Sequence, residues 1–377
     1  MFHTALQNER DVEINYWEDQ CTIVEGVQFS IVNEQGGRDI HWVAKLDNYN
    51  QSVDQRVKFA GWLEKLPEFG GKLLIKKASI ADVDELAESS DLVLVASGKG
   101  EIGRIFERDD EKSEFDKPQR ALALSYVKNM KPSPDFHRVS FNVIPGVGEY
   151  FVFPALTING IDCEIMVMEG LPGGPMDQCW QDADTPEKHL AASKWIVDTY
   201  LPWESARCQD IQLTDDNGIL KGRFPPTVRK PIVRLPSGRV AMGIGDAVVL
   251  NDPLTGQGSN NASKCARVVY DSILNHGDQV FDEAWMQQTF DEYWDYVRWC
   301  TSWTNTLLRP PTQSTQKILK AATEHQEMAD LFANGFDNSR DYIPWFFDEY
   351  EADRIIAAFA GGARRADLAG WSGGMEV

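Results

Sequence analysis

Long apolar runs are missing from this chain. Stretches such as "DLVLVAS" (91–97) fall far short of the roughly 20 residues that a bilayer-spanning helix needs. A surplus of positive charge is missing too: 37 Lys and Arg stand against 58 Asp and Glu, a net charge of −21. Nucleic acids and anionic membrane surfaces are bound through excess Lys and Arg, so both are disfavoured as partners. The opening "MFHTALQNERDVEINYWEDQ" has neither the basic n-region nor the apolar h-region of a secretory signal. Cysteine is sparse. Cys21, Cys163, Cys179, Cys208, Cys265 and Cys300 form no CxxC, and none stands at zinc-ligand spacing from a histidine. The six histidines are scattered without an HExxH, so no metal site is expected. Scattered thiols in a long chain fit a reducing, cytoplasmic setting.

What is present is ordinary globular composition, 42% hydrophobic and 25% charged, over 377 residues. That length exceeds what one core usually serves, so two or three subdomains are expected. Residues 1 to about 20 read as a helix. "GVQFSIV" and "IHWVAKL" alternate like hairpin strands. "SVDQRVKFAGWLEKL" predicts an amphipathic helix with Ser52 as N-cap and Val57, Ala60, Leu63 and Leu66 on one side. "GKLLIKKA" predicts a short strand and "DLVLVAS" a buried one, which together suggest an α/β layer.

From about 121 to 230 the pattern changes to strand-like runs separated by "PGVGE" and "NGID", both hairpin signals. An antiparallel sheet is therefore expected, interrupted by the helix "TPEKHLAASKWIVDTYL" with Thr185 as cap. "RVAMGIGD" returns to a buried strand that feeds the helix "GQGSNNASKCARVVYDSIL". Beyond about 280 the chain is helical and aromatic. Phe290, Trp294, Val297, Thr301 and Thr304 recur at helical spacing and read as core packing, and Pro310 and Pro311 end the helix. The last residues, 361–377, read as a disordered tail.

Two motif matches are set aside. "GWSGG" (370–374) fits GxSxG, but no buried strand precedes it and no histidine follows. "GKGEIG" (98–103) fits GxGxxG and follows a strand, yet the charged "RIFERDDEKSEFDKPQR" comes next instead of a packing helix. A better reading is a glycine turn where Ser97 and Gly98 let a cofactor backbone approach. An NAD-linked dehydrogenase using this turn is the weakest of three readings.

"GIGDAVVLNDPLTGQGSNNASK" (243–264) carries more. Asp246 ends a strand, where open α/β sheets bind ligands, and its carboxylate can accept hydrogen bonds from a polyol. Pro253 stiffens the loop, and Gly256 and Gly258 leave the first N–H groups of the next helix uncovered, which favours negative charge. A flavin meets both demands: ribityl hydroxyls for the acid, and the N1–C2=O edge, anionic when reduced, for the helix end. An N-capped helix after an ordinary turn meets them equally well.

That stretch resembles the second flavin-contact motif of the single-domain flavoprotein monooxygenases, above all the oxygenase subunit of two-component styrene and indole monooxygenases. "SVDQRVKFAGWLEKL", "DLVLVASGKGEIGRIFERD", "FDKPQRALAL", "PGVGEYFVFPALTINGID", "RWCTSWTNTLL" and "EMADLFANGFDN" agree in the same order. The resemblance implies an α/β fold: a partial Rossmann-like FAD-binding domain (1–120, resumed at 231–280), an inserted antiparallel β-sheet substrate domain (121–230) and a C-terminal helical region (281–360). It implies that Asp246 meets the ribityl and pyrophosphate part of FAD and that Pro253 lies against the isoalloxazine. Gly256, Gln257 and Gly258 would offer backbone contacts at its pyrimidine end, Ser97 and Gly98 would flank the adenosine, and Arg56 would approach the phosphates. For Arg56 a surface ion pair is the alternative.

The reactive species in such enzymes is a flavin C4a-hydroperoxide, so no side chain is expected to act as acid, base or nucleophile. Reduced FAD would come from a separate NADH-dependent flavin reductase. O2 and a small aromatic such as styrene or indole would be the other reactants, and the resemblance allows a homodimer. Family members begin with a strand–GxGxxG–helix unit, of about 30 residues or more, that this chain lacks. A start placed too late and a true truncation are the two expectations. The second would leave an FAD-free remnant acting as an interaction protein.

Overall fold

Backbone pairing, rather than apolar content alone, decides which sequence runs become strands. The computed structural model describes residues 1–368. The tail expected over 361–377 is ordered in its described part, where Arg365–Leu368 form a 3-10 turn and the Arg365 N–H donates to Glu327 at 2.7 Å; its remainder from 369 onward, including "GWSGG", lies outside the described residues. Helix α1 (His3–Asp11) stops well short of residue 20, with only a single 3-10 turn at Glu18–Gln20 after it. The hairpin β1 (Val24–Val32) and β2 (Arg38–Asn50) forms as expected, antiparallel throughout.

Helix α2 (Gln55–Lys65) departs from expectation in two ways. Its cap is Asp54, whose side chain accepts the Arg56 N–H at 2.8 Å, not Ser52. Its buried residue is Lys58, ion-paired with Glu9 at 2.5 Å, while Ala60, Leu63 and Leu66 face solvent. "GKLLIKKA" forms no strand. Among the described residues no backbone hydrogen bond pairs 72–77 with a neighbour. Helix α3 (Ile80–Ser89) opens in a capping box in which Ser79 and Asp82 exchange hydrogen bonds. Of the apolar run that follows, only β3 (Leu94–Val95) is paired, and α4 (Gly100–Gly103) is one helical turn.

Strands β4 (Ala121–Lys128), β5 (Arg138–Ile144), β6 (Gly148–Thr157) and β7 (Ile161–Gly170) build the main sheet. Helices α5 (Pro175–Gln178), α6 (Pro186–Tyr200) and α7 (Pro202–Ser205) and strands β8 (Gln212–Leu213) and β9 (Ile219–Gly222) follow. The sheet order is β2-β1-β5-β6-β7-β4-β8, with β9 also on β4. The β1–β2 hairpin, grouped in sequence with residues 1–120, is thus one edge of the sheet, joined through the parallel β1–β5 pair. The β6–β7 turn places Asn159 and Gly160 at φ of 61° and 66°, the left-handed pair a tight hairpin requires. Thr185 caps α6, whose Ile196 and Val197 pack on Met166, Met168 and Tyr150 of the sheet.

A smaller layer contains β10 (Thr227–Val228), β11 (Ile232–Arg234), β12 (Val240–Gly243) and β13 (Val249–Leu250). Here β12 runs parallel to β3 and antiparallel to β11. Helices α8 (Gly258–His276) and α9 (Glu283–Leu307) cover it. In α9 the stripe of Phe290, Val297, Thr301 and Thr304 is buried, and Trp294 packs beside it. Helices α10 (Gln313–Glu324), α11 (Gln326–Asn334) and α12 (Glu349–Ala360) enclose Trp42, Trp303, Phe332, Tyr342 and Phe346 against β1–β2. No helix among the described residues is long and apolar enough to cross a membrane.

Candidate functional site

Strands β3 and β12 end side by side, and their C-terminal turns meet. A Cβ on Gly98 would lie 2.4 Å from the Cβ of Asp246 and 2.7 Å from its carbonyl oxygen, so only glycine allows this approach. Arg229 ties the two turns together, donating to the Asp246 carbonyl at 3.2 Å and the Gly98 carbonyl at 3.5 Å. Asp246 remains exposed to solvent. Partial desolvation of its carboxyl by the surrounding chain pushes its pKa up, and Lys99 and Arg229 pull it back. Ser97 is exposed beside this crevice, its hydroxyl donating to the Lys99 carbonyl at 2.9 Å.

The second half of the site is the turn leading into α8. Asp252 caps it by accepting the Leu254 N–H at 3.1 Å, Pro253 begins the turn, and Gly256 takes a left-handed φ of 63°. Helix α8 then begins with no side-chain cap, and a Cβ at Gly258 would meet nothing within 4 Å. Gln257 is fully buried. Its Nε2 donates to the Phe336 carbonyl at 2.8 Å, and its Oε1 has no partner among the described residues. The helix mouth is therefore open and rich in donors. The Gly245 N–H, at 3.3 Å from Cys265 Sγ, sets the Asp246 turn beside α8 about 10 Å along the axis from Gly258. The Asp246–Gly98 contact and the 253–258 turn are thus linked through α8.

Two cavities open beside this turn. The larger, 380 Å³, is walled by Phe29, Trp42, Phe141, Phe332 and Phe336, with Arg120 and Glu149 at its polar edge. The smaller, 130 Å³, is bounded by Gly256, Ser259 and Asn260 on one side and by Met1, Gln51 and Phe153 on the other. Leu254 and Thr255 line both.

Arg56 stands apart from this grouping. It ion-pairs with Asp54 at 2.7 Å and Asp215 at 2.8 Å, lies 5.3 Å from the Tyr126 ring, and its pKa is raised by those carboxylates. A phosphate approaching it would compete with two carboxylates already in place. Sequence reasoning missed Arg120, Glu149, Glu169 and Asp252, which are all buried near the cavity edge. The available signal was isolated charge inside apolar strand runs, as in "GEYFVF" and "EIMVME".

Comparison with known proteins follows the same lines. Residues 98–207 match the family described as "Styrene monooxygenase A putative substrate binding domain". The chain is 28% identical over 347 residues to "Styrene monooxygenase StyA" of Pseudomonas fluorescens, covering 89% of this chain and 81% of that protein. A second StyA, from a Pseudomonas species, matches at the same identity and coverage. Among solved structures, a flavoprotein/dehydrogenase from Cytophaga hutchinsonii superposes with a TM-score of 0.63 at 12% identity, over 95% of this chain and 88% of that one. The flavin-dependent brominase Bmp2 superposes with a TM-score of 0.53 at 15% identity, over 97% of this chain and 83% of that one. At such identities these two show a shared fold. Along most of its length the chain is thus similar in sequence to styrene monooxygenases.

Proposed function

We propose that this chain is the FAD-dependent oxygenase component of a two-component monooxygenase that epoxidises or hydroxylates a small aromatic such as styrene or indole. The observation that carries this reading is the wall formed by Leu254 and Thr255, shared between an uncapped helix mouth and a 380 Å³ aromatic cavity. That volume is at the lower end for small-molecule pockets and suits a one- or two-ring apolar substrate.

The residues present fit a flavin. Open space at Gly258, the unpartnered Gln257 Oε1 and the uncapped α8 N-terminus offer acceptors and donors for the pyrimidine edge. Asp246, about 10 Å along α8, would hold the ribityl arm. Pro253 would lie against the ring system, and Gly98 and Ser97 would flank the adenosine side. Arg56 would serve the phosphates only by exchanging a carboxylate partner. The reduced flavin, delivered by a separate NADH-dependent reductase, supplies the oxygen-activating chemistry with O2. The chain's own work is to orient the substrate between Phe29, Trp42 and Phe141 and to keep water from the transfer. All six cysteines are unpaired, in keeping with a reducing cytoplasm.

Co-expression with a flavin reductase tests the reading. Indigo from indole, or styrene oxide from styrene, is expected. Neither product, together with no binding of reduced FAD, would favour a non-enzymatic binding protein.

A further inference from the structure

Strands β6 and β7 place Glu149 directly opposite Glu169 in antiparallel register. Like charges so placed repel, and here both are buried, Glu169 completely. Asp252, at the start of the cofactor-facing turn, is also buried and packs against Glu169. Three carboxyl groups thus share one cation, Arg120. That guanidinium is already committed: it grips Glu149 through two bonds of 2.7 and 2.8 Å and donates to the Gln119 and Leu308 carbonyls. Burial raises the Glu149 pKa and Arg120 opposes it; the two-pronged contact decides for the ionised form. Neither oxygen of Glu169 meets a donor among the described residues.

We infer that Glu169 and Asp252 share one proton, and that this acid pair, braced by Arg120–Glu149, is the positioning device that seats the turn 252–256. One proton bridges the two carboxyl groups, Glu169 donating to Asp252, while Asp252 Oδ1 accepts the Leu254 N–H at 3.1 Å. Burial and then the neighbouring Asp252 both drive the Glu169 pKa up, with Glu149 adding to the effect and Arg120 opposing it. A fully ionised cluster would bury a net charge of about −2, which a protein interior does not tolerate. Leu254 and Thr255 line both cavities, so the pair acts on flavin and substrate alike through the turn. The consequence for flavin rests on the proposed function; the shared proton and the seating of the turn do not.

The test uses E169Q and E169A in the full chain. Glutamine keeps a donor and the neutral charge of a protonated glutamate, whereas alanine removes both. Difference infrared spectra of wild type against E169Q near neutral pH should show a protonated-carboxyl C=O stretch that the variant lacks. A neutral buried Glu169 stabilises fully below the unfolded carboxyl range, and that stability is lost as pH rises toward its elevated folded value. The Tm of E169Q relative to wild type should therefore climb as pH rises above the unfolded carboxyl range. Hydrogen exchange at Leu254 should speed up about tenfold in E169A and stay near wild type in E169Q. No carboxyl band and a flat Tm difference would overturn the shared proton. Unchanged Leu254 exchange in E169A would overturn the seating role. Failure of wild type to bind reduced FAD would sink the flavin reading and leave these results standing.

Discussion

Two flanks of this molecule carry similar apolar content and use it differently. Around the large cavity, Trp303, Phe332 and Tyr342 are buried between α9–α11 and the β1–β2 hairpin, and the Trp303 and Tyr342 rings lie 4.5 Å apart. On the other flank Leu73, Leu74 and Ile75 are 43%, 73% and 85% exposed, and Phe69 and Leu63 of the same stretch are exposed as well. Side-chain chemistry does not separate the two regions. What separates them is a partner: β1 has β2 and β5 to bond, while 72–77 has no strand beside it among the described residues. A strand is a pairwise object, and an apolar run without a neighbour leaves both its side chains and its backbone groups in water.

This comparison can be broken at either end. Phe332→Ala should cost about 3–5 kcal/mol in urea unfolding, because it removes a buried ring packed on Trp42, Tyr342 and Phe346. A cost near zero would mean the enclosed flank is as loose as the exposed one. Gly98→Val comes next: its new atoms would collide with Asp246, costing about 1–3 kcal/mol and weakening reduced FAD binding by roughly tenfold or more. Gly258→Ala separates stability from ligand binding. Nothing stands within 4 Å of the added Cβ, so stability should hold or rise by up to about 1 kcal/mol, while flavin affinity falls because the new methyl occupies the open mouth. The smallest effect belongs to Leu74→Ser with Ile75→Ser, expected within about 0.5 kcal/mol of wild type but with slower aggregation on storage. A large destabilisation there would show that the exposed run has a partner in solution.

The same contrast explains what the sequence made legible. The β5–β6–β7 meander, the Thr185 cap and the stripe on α9 were readable because each depends on local periodicity and turn chemistry. The "GKLLIKKA" strand and the apolar face of α2 were misread because their state depends on a neighbour that local pattern cannot supply. At the site, Asp246 and the Gly256–Gly258 turn stood out through strand ends and glycines. The meeting of Gly98 with Asp246 joins positions far apart in sequence and emerged only in three dimensions. The buried carboxyl cluster behind the turn was hidden for a like reason, since cross-strand register, not spacing along the chain, sets Glu149 against Glu169.

The central claim is that the Gly98–Asp246 crevice and the α8 mouth hold a reduced flavin beside the aromatic cavity. Anaerobic titration of reduced FAD into wild type, Asp246→Ala and Gly258→Ala tests it most directly. Micromolar binding by wild type that weakens about tenfold in each variant, with Tm preserved, is the predicted result. Equal affinity in all three, or no binding by wild type, would contradict it.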